Sequence, residues 1–107
     1  MSTPGSLLQN KVLKYLEGEG VFAWRQNNQP TYDPKIGGYR SHNGMKGVPD
    51  IIAVINGVFI GAEIKAGSDK MSADQLLFQR RLTRAGGKYF IIKSVDDAKK
   101  MLHEIRV

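Results

Sequence analysis

Cysteine is absent from the 107-residue chain. That excludes disulfides, thiolate zinc sites and cysteine nucleophiles, and it makes a reducing compartment the simplest setting. No apolar run approaches the roughly 18–20 residues that a membrane span needs, so no contact with a bilayer is expected. Met1-Ser-Thr-Pro-Gly5 offers neither a basic leader nor a secretory apolar segment. A cytoplasmic protein is therefore expected. Internal repeats and linker-like stretches are also missing, and a chain of this length is about the size of one compact domain, so residues 1–107 are read as one unit. Negative charge is in short supply: ten Asp and Glu stand against sixteen Lys and Arg, a formal charge of +6. Such an excess suits a polyanionic partner, because each neutralised phosphate releases condensed counterions. A solvated surface kept soluble by its net charge accounts for the same composition. With 41% hydrophobic and 24% charged residues, general disorder is excluded.

What is present reads as alternating helices and strands. Leu8, Val12, Tyr15 and Leu16 fall at i, i+4, i+7 and i+8, which predicts an amphipathic helix over Ser6–Glu17 with Gly18 to end it. Val21–Gln26 reads as a short strand, its Phe22 and Trp24 expected in the core. Asn27–Gly47 is rich in Asn, Gly, Pro and Tyr without a clear period, and long irregular stretches of this kind tend to be functional or mobile. Ile51–Lys65 carries two β-rich apolar runs around Asn56-Gly57, the preferred pair for a type I′ hairpin turn. Runs this continuous in apolar residues predict a central place in a sheet covered on both faces. Ser72-Ala-Asp-Gln75 resembles a capping box and opens a helix to about Ala85, where Gly86-Gly87 stops it. Lys88–Lys93 is a fourth strand, and Ser94 starts a C-terminal helix carrying Val95, Ala98, Met101, Leu102 and Ile105. The order αβββαβα implies an α/β fold, a mixed sheet flanked by helices.

The hairpin also fixes which side chains meet. If Asn56 and Gly57 are the two loop residues, Ile55 pairs with Val58 and Ile51 with Ala62, so Asp50 falls opposite Glu63. Directly opposed residues project from one face with Cβ atoms about 4.5–5.5 Å apart. Lys65, two residues beyond Glu63, joins that face. Opposed like charges repel, and neighbouring apolar runs raise the cost of desolvation, so the pair needs a compensating partner. A hard divalent cation is the natural one, since Mg²⁺ takes one or two carboxylates and fills its remaining positions with water or substrate phosphate. The backbone carbonyl of Ile64 is placed to supply a further oxygen. The competing reading is a pair of strand-end carboxylates with Lys65 in an ordinary salt bridge, and a bulge in the hairpin would break the register.

Gly47-Val-Pro-Asp50, a β-hairpin and then Glu63-Ile-Lys65 resembles the PD-(D/E)XK nuclease superfamily. With Ser72-x-x-Gln75 at a helix start and Gly86-Gly87 before the last core strand, the pattern is similar to its VRR-NUC branch, the virus-type replication-repair nucleases, over about Leu7–Leu102. The resemblance implies a restriction-endonuclease-like αβββαβ core followed by a C-terminal helix. It also implies a Mg²⁺ or Mn²⁺ cofactor and phosphodiester hydrolysis, with no other small-molecule cofactor. Stand-alone members of this size look like phage or bacterial proteins that pair as homodimers and cut branched DNA, including four-way (Holliday) junctions. On that likeness Asp50 and Glu63 are metal ligands, with the Ile64 carbonyl beside them. Lys65 positions or activates the attacking water, and Gln75 supports Lys65, although the capping box explains a Gln there equally well. Many relatives carry an acidic residue early in the first helix, where this chain reads Ser6-Leu-Leu-Gln-Asn10. Gln9 acting through a water, or Glu17 from the other end of the helix, are the two replacements available.

DNA contacts are expected from Arg25 and Asn27 at the end of the first strand, and from Lys35, Arg40, His42 and Lys46 in the long loop. Arg80 and Arg84 on the following helix extend the set, while Arg81 is equally well explained as part of a solvated face. Contacts of this kind reach the phosphate backbone and confer orientation without reading sequence. Two other functions fit the composition: a non-catalytic nucleic-acid-binding module that retains the nuclease fold, and a basic interaction domain with no nucleic acid involved.

Overall fold

The computed structural model describes residues 3–26, 31–40 and 45–107, and at positions 31, 39 and 40 the backbone only. The first helix, α1 (Pro4–Gly18), starts two residues before the predicted Ser6 and ends one residue after the predicted Glu17. Thr3 caps it by accepting a hydrogen bond from the Ser6 N–H (3.1 Å), and Pro4 suits a first turn because it has no N–H to satisfy. Val12 and Leu16 are fully buried, and Gly20, with φ of 75°, turns the chain into β1 (Phe22–Arg25).

The stretch read as aperiodic contains a small hairpin, β2 (Thr31–Asp33) with β3 (Gly38–Arg40), as a separate two-stranded sheet. Three-residue strands are too short to show an alternation, so only the turn left a trace in the sequence. There Asp33 Oδ1 accepts from the Lys35 N–H (2.9 Å), an Asx turn, and Gly37 takes a φ of 67°.

The main hairpin, β4 (Ile51–Ile55) and β5 (Val58–Ile64), has the expected register throughout, from Ile55↔Val58 to Ile51↔Ala62. Asn56 and Gly57 both adopt positive φ, 53° and 77°, as a type I′ turn requires. Helix α2 (Ala73–Arg84) then crosses over to β6 (Lys88–Ile92), which lies parallel to β5, and α3 (Val95–Arg106) closes the described chain. The four-stranded sheet runs β1-β4-β5-β6, antiparallel except for its last pair. It is the mixed α/β arrangement expected from the sequence, with the additional small hairpin.

One face of the sheet, bearing Ile51, Ala53, Ile60 and Ala62, packs on α1 and α3 through Val12, Leu16, Ala98, Met101 and Leu102. The other face is roofed by α2 over β5 and β6 only. Gly61 and Gly87 allow that close approach: a Cβ on Gly61 would lie 2.7 Å from the Pro49 ring and 3.3 Å from Leu82, and one on Gly87 would lie 2.4 Å from Leu82. The expectation that Phe22 and Trp24 belong to the core is not met, because they are 70% and 37% exposed. Ala23 takes the core-facing position on β1, so alternation turns its aromatic neighbours to the other face, beyond the reach of α2.

Candidate active site

The ends of β4 and β5 build the site. The ladder's last pair is Ile51↔Ala62, and Asp50 continues it: its backbone carbonyl accepts from the Gln26 N–H (2.8 Å) and its Oδ2 from the Ile64 N–H (2.9 Å). Gly47 brings the chain to that point. Its φ of 77° and its lack of a side chain let the backbone rest on the start of α2, where a Cβ would meet the Asp74 carbonyl oxygen at 2.2 Å.

Glu63 is buried, 3% exposed, and lies against Asp50. Burial, then the charge and close approach of the Asp50 carboxyl, push its own carboxyl up to about 8, against a smaller opposing pull from Lys65. Lys65 Nζ stands 3.9 Å from Glu63 Oε1 and donates to Gln75 Oε1 at 2.8 Å. The same Gln75 oxygen accepts the Ser72 N–H (2.9 Å), while Gln75 Nε2 donates to Glu63 Oε1 (3.0 Å). The two explanations of Gln75 therefore hold at once: it completes the capping box of α2 and it joins Lys65 to Glu63. Glu63 Oε2 is buried and accepts no hydrogen bond among the described residues.

A cleft of about 550 Å³ opens beside this cluster, lined on one side by Asp50, Glu63, Ile64 and Asp69 and on the other by Thr3, Gly5, Ser6, Gln9, Arg25 and Gln26. A buried carboxylate with a free oxygen, a second carboxylate against it and an adjoining cleft fit a hard divalent cation. Among the described residues no group of three or more His, Cys, Asp and Glu gathers as a metal site, so the charge of the cluster is that of two carboxylates, with Asp69 also lining the cleft. Arg25 lines the cleft as well, its guanidinium bonded to Asn10 Oδ1.

Several expected residues lie elsewhere. Glu17 is exposed at the far end of α1, eight residues from Gln9 or about 12 Å along the axis, and it does not line the cleft. Lys35 is exposed in the β2–β3 turn. Lys46 shares a small depression with Arg81, whereas Arg80 and Arg84 line another on α2 with Leu76. Asn27 and His42 lie outside the described residues, as does the side chain of Arg40. Two residues were not anticipated. Asp69 reaches the cleft because its N–H bonds the Ala66 carbonyl (3.2 Å), turning the chain back after β5; Gly67-Ser68 is the only sequence sign of that turn. Tyr89, opposite Gly61 on the same face, has its hydroxyl pushed upward by burial and by the charges of Glu63 and Asp50.

The structure thus places an Asp–Glu–Lys cluster at the ends of the central hairpin of a mixed sheet. Comparison with solved structures agrees at the level of fold: a structure described as a "VRR_NUC domain" superimposes with a TM-score of 0.68, covering 95% of this chain and 97% of that one at 21% sequence identity. No family model matches the sequence, and no curated protein does. The fold expected from Gly47–Asp50, Glu63–Lys65, Ser72–Gln75 and Gly86-Gly87 is thus present.

Proposed function

We propose that the protein is a metal-dependent DNA nuclease that hydrolyses phosphodiester bonds in branched DNA such as four-way junctions. The observation that carries this reading is the buried Glu63 carboxylate, its Oε2 without a partner among the described residues, against Asp50 and beside Lys65 at the wall of an open cleft. Asp50, Glu63 and the Ile64 carbonyl would hold Mg²⁺ or Mn²⁺. Such a cation, when bound, lowers the pKa of a water and polarises a phosphoryl oxygen. Lys65, held by Gln75, stabilises the negative charge that grows on the phosphate and orients the attacking water. Arg25 faces the same cleft and suits a neighbouring phosphate. Lys35, Lys46, Arg80 and Arg84 give the wider surface its positive charge, and Asn27, Arg40 and His42 complete the proposed contact set. Two-fold pairing of the chain would present two such sites to a junction, so the active species is a homodimer, working in the cytoplasm of a bacterial or phage-infected cell.

A second reading, a DNA-binding module without chemistry, is favoured by one observation: the helical wall of the cleft offers Thr3, Ser6 and Gln9 but no carboxylate. The deciding experiment incubates the protein with a labelled four-way junction and a matching linear duplex in Mg²⁺, Mn²⁺ or EDTA. Metal-dependent cutting of the junction, at least about 100-fold slower in Lys65→Ala and Asp50→Ala, supports the nuclease. Binding without cutting in either metal supports the module. Equal cutting of both substrates keeps the nuclease and removes its junction selectivity.

A further inference from the structure

The sheet face that carries Glu63 and Lys65 is half open. Strand pairing sets its rows: Phe22, Val54 and Phe59 lie side by side, and Trp24, Ile52, Gly61 and Tyr89 form the next row. The row after that holds Glu63 and Ile91. Rows on one face are two residues apart, about 7 Å, so the aromatic side chains of β1 begin one row from the catalytic cluster. Helix α2 roofs β5 and β6, and no described element roofs this side of β1. Phe22 and Trp24 stand open there, ring centroids 5.2 Å apart and planes tilted by 47°, with Phe59 a further half-open ring.

We infer that this strip is a stacking surface for unpaired bases of a DNA strand led into the cleft. Every base has a π face, so an exposed aromatic pair accepts any of them. Arg25 continues β1 directly from Trp24 and lines the cleft, with Asn10 bonded to its guanidinium. By the alternation of β1 the Arg25 side chain lies on the Ala23 side, against α1, so it borders the cleft at the strand's end and not the aromatic strip itself. The net charge of +6 favours the same polyanion. A protein occupant fits less well. At 150–250 Å² for a whole aromatic side chain, the open part of the strip amounts to roughly 300 Å², against about 800 Å² per partner in a stable complex. The inference rests on the DNA reading above and adds to it a preference for unpaired bases beside the cut.

Trp24 is the one tryptophan of the chain, so its emission reports on the strip. A short oligothymidylate is titrated into the full chain in EDTA, where no cleavage interferes. Quenching of Trp24 is expected, with binding about tenfold weaker in Phe22→Ala. Phe22→Leu keeps an apolar side chain without a ring and should lose as much, while Phe22→Tyr should restore binding. Unchanged emission, or wild-type affinity in Phe22→Leu, overturns the inference. Sedimentation of the same variants gives another refutation: a wild-type dimer that Phe22→Ala turns into monomer makes the strip a self-association surface. Metal-dependent cutting of the four-way junction, measured in parallel, separates the two proposals. Cutting without quenching removes the stacking surface alone, and ring-dependent quenching without cutting supports that surface while removing the nuclease.

Discussion

Replacing Glu63 by glutamine should stabilise the metal-free protein, and the gain should grow as the pH rises. Glu63 is enclosed between the sheet and α2, and burial with the neighbouring Asp50 charge pushes its carboxyl up to about 8, whereas its ordinary value is 4.5. The folded state thus binds this proton more tightly than the unfolded chain does. Below the unfolded value both states are protonated and the contribution is fully present; it is lost as pH rises, and is gone above about 8. At about 1.4 kcal/mol per pH unit, the loss by pH 7 is on the order of 3 kcal/mol. For a domain of this size that is a Tm difference of roughly 10 °C. A glutamine side chain in the same place would keep the shape and have nothing to ionise. Thermal unfolding of wild type and Glu63→Gln in EDTA, from pH 4.5 to 9, should give curves that coincide at the acid end, diverge through neutrality and run parallel above pH 8. If Glu63 holds the proposed cation, saturating Mg²⁺ should narrow or reverse the gap, because an amide in its place would hold the ion poorly. A Tm difference that does not depend on pH, or a wild type more stable than the variant at pH 8 in EDTA, would refute the reasoning.

The remaining predictions separate support from chemistry. Ser72→Ala removes only the cap of α2 and should cost about 1 kcal/mol in urea unfolding with little effect on cleavage. Gln75→Ala should cost about as much and also slow cleavage more than about tenfold, because Lys65 loses its acceptor. Gly47→Ala combines a left-handed backbone with a clash against α2 and should destabilise by at least about 2 kcal/mol, read by the same unfolding assay. Gln9→Glu adds a carboxylate to the neutral wall of the cleft and should tighten Mg²⁺ binding several-fold by calorimetry, whereas Glu17→Gln should leave it unchanged.

The parts of this architecture that could be read in the sequence are those set by local geometry. An Asn-Gly turn and a period of two place Asp50, Glu63 and Lys65 on one face with no reference to the rest of the chain. The capping residues Ser72 and Ser94 mark helix starts in the same local way. What escaped depends on distant packing. Apolar character in Phe22 and Trp24 does not tell that β1 becomes an edge strand or that α2 stops short of it. A helical stripe through Val12 and Leu16 does not tell which end of α1 meets the hairpin; the helical register already disfavours Glu17, and the cleft takes Gln9 and leaves Glu17 out. Asp69 and Tyr89 reach the cluster through a loop turn and a parallel strand register, neither of which leaves a periodic signal.

Gln75 shows how the helix start and the cluster constrain each other. Its Oε1 faces two donors, the Ser72 N–H and Lys65 Nζ, and neither of those groups can accept. A flipped amide would set its NH₂ against both, so the network admits one orientation. In that orientation Nε2 has Glu63 Oε1 as its acceptor, which occupies that oxygen and turns Lys65 toward the same side. The carboxyl group is then divided: Oε1 is held by the protein, and Oε2 is left without a hydrogen-bond partner among the described residues, as the proposed cation site requires. A lysine ammonium shared wholly with Glu63 would instead neutralise the acceptor a cation needs. At 3.9 Å from Oε1, with Gln75 as its nearer partner, Lys65 lowers the cost of the cluster without closing it.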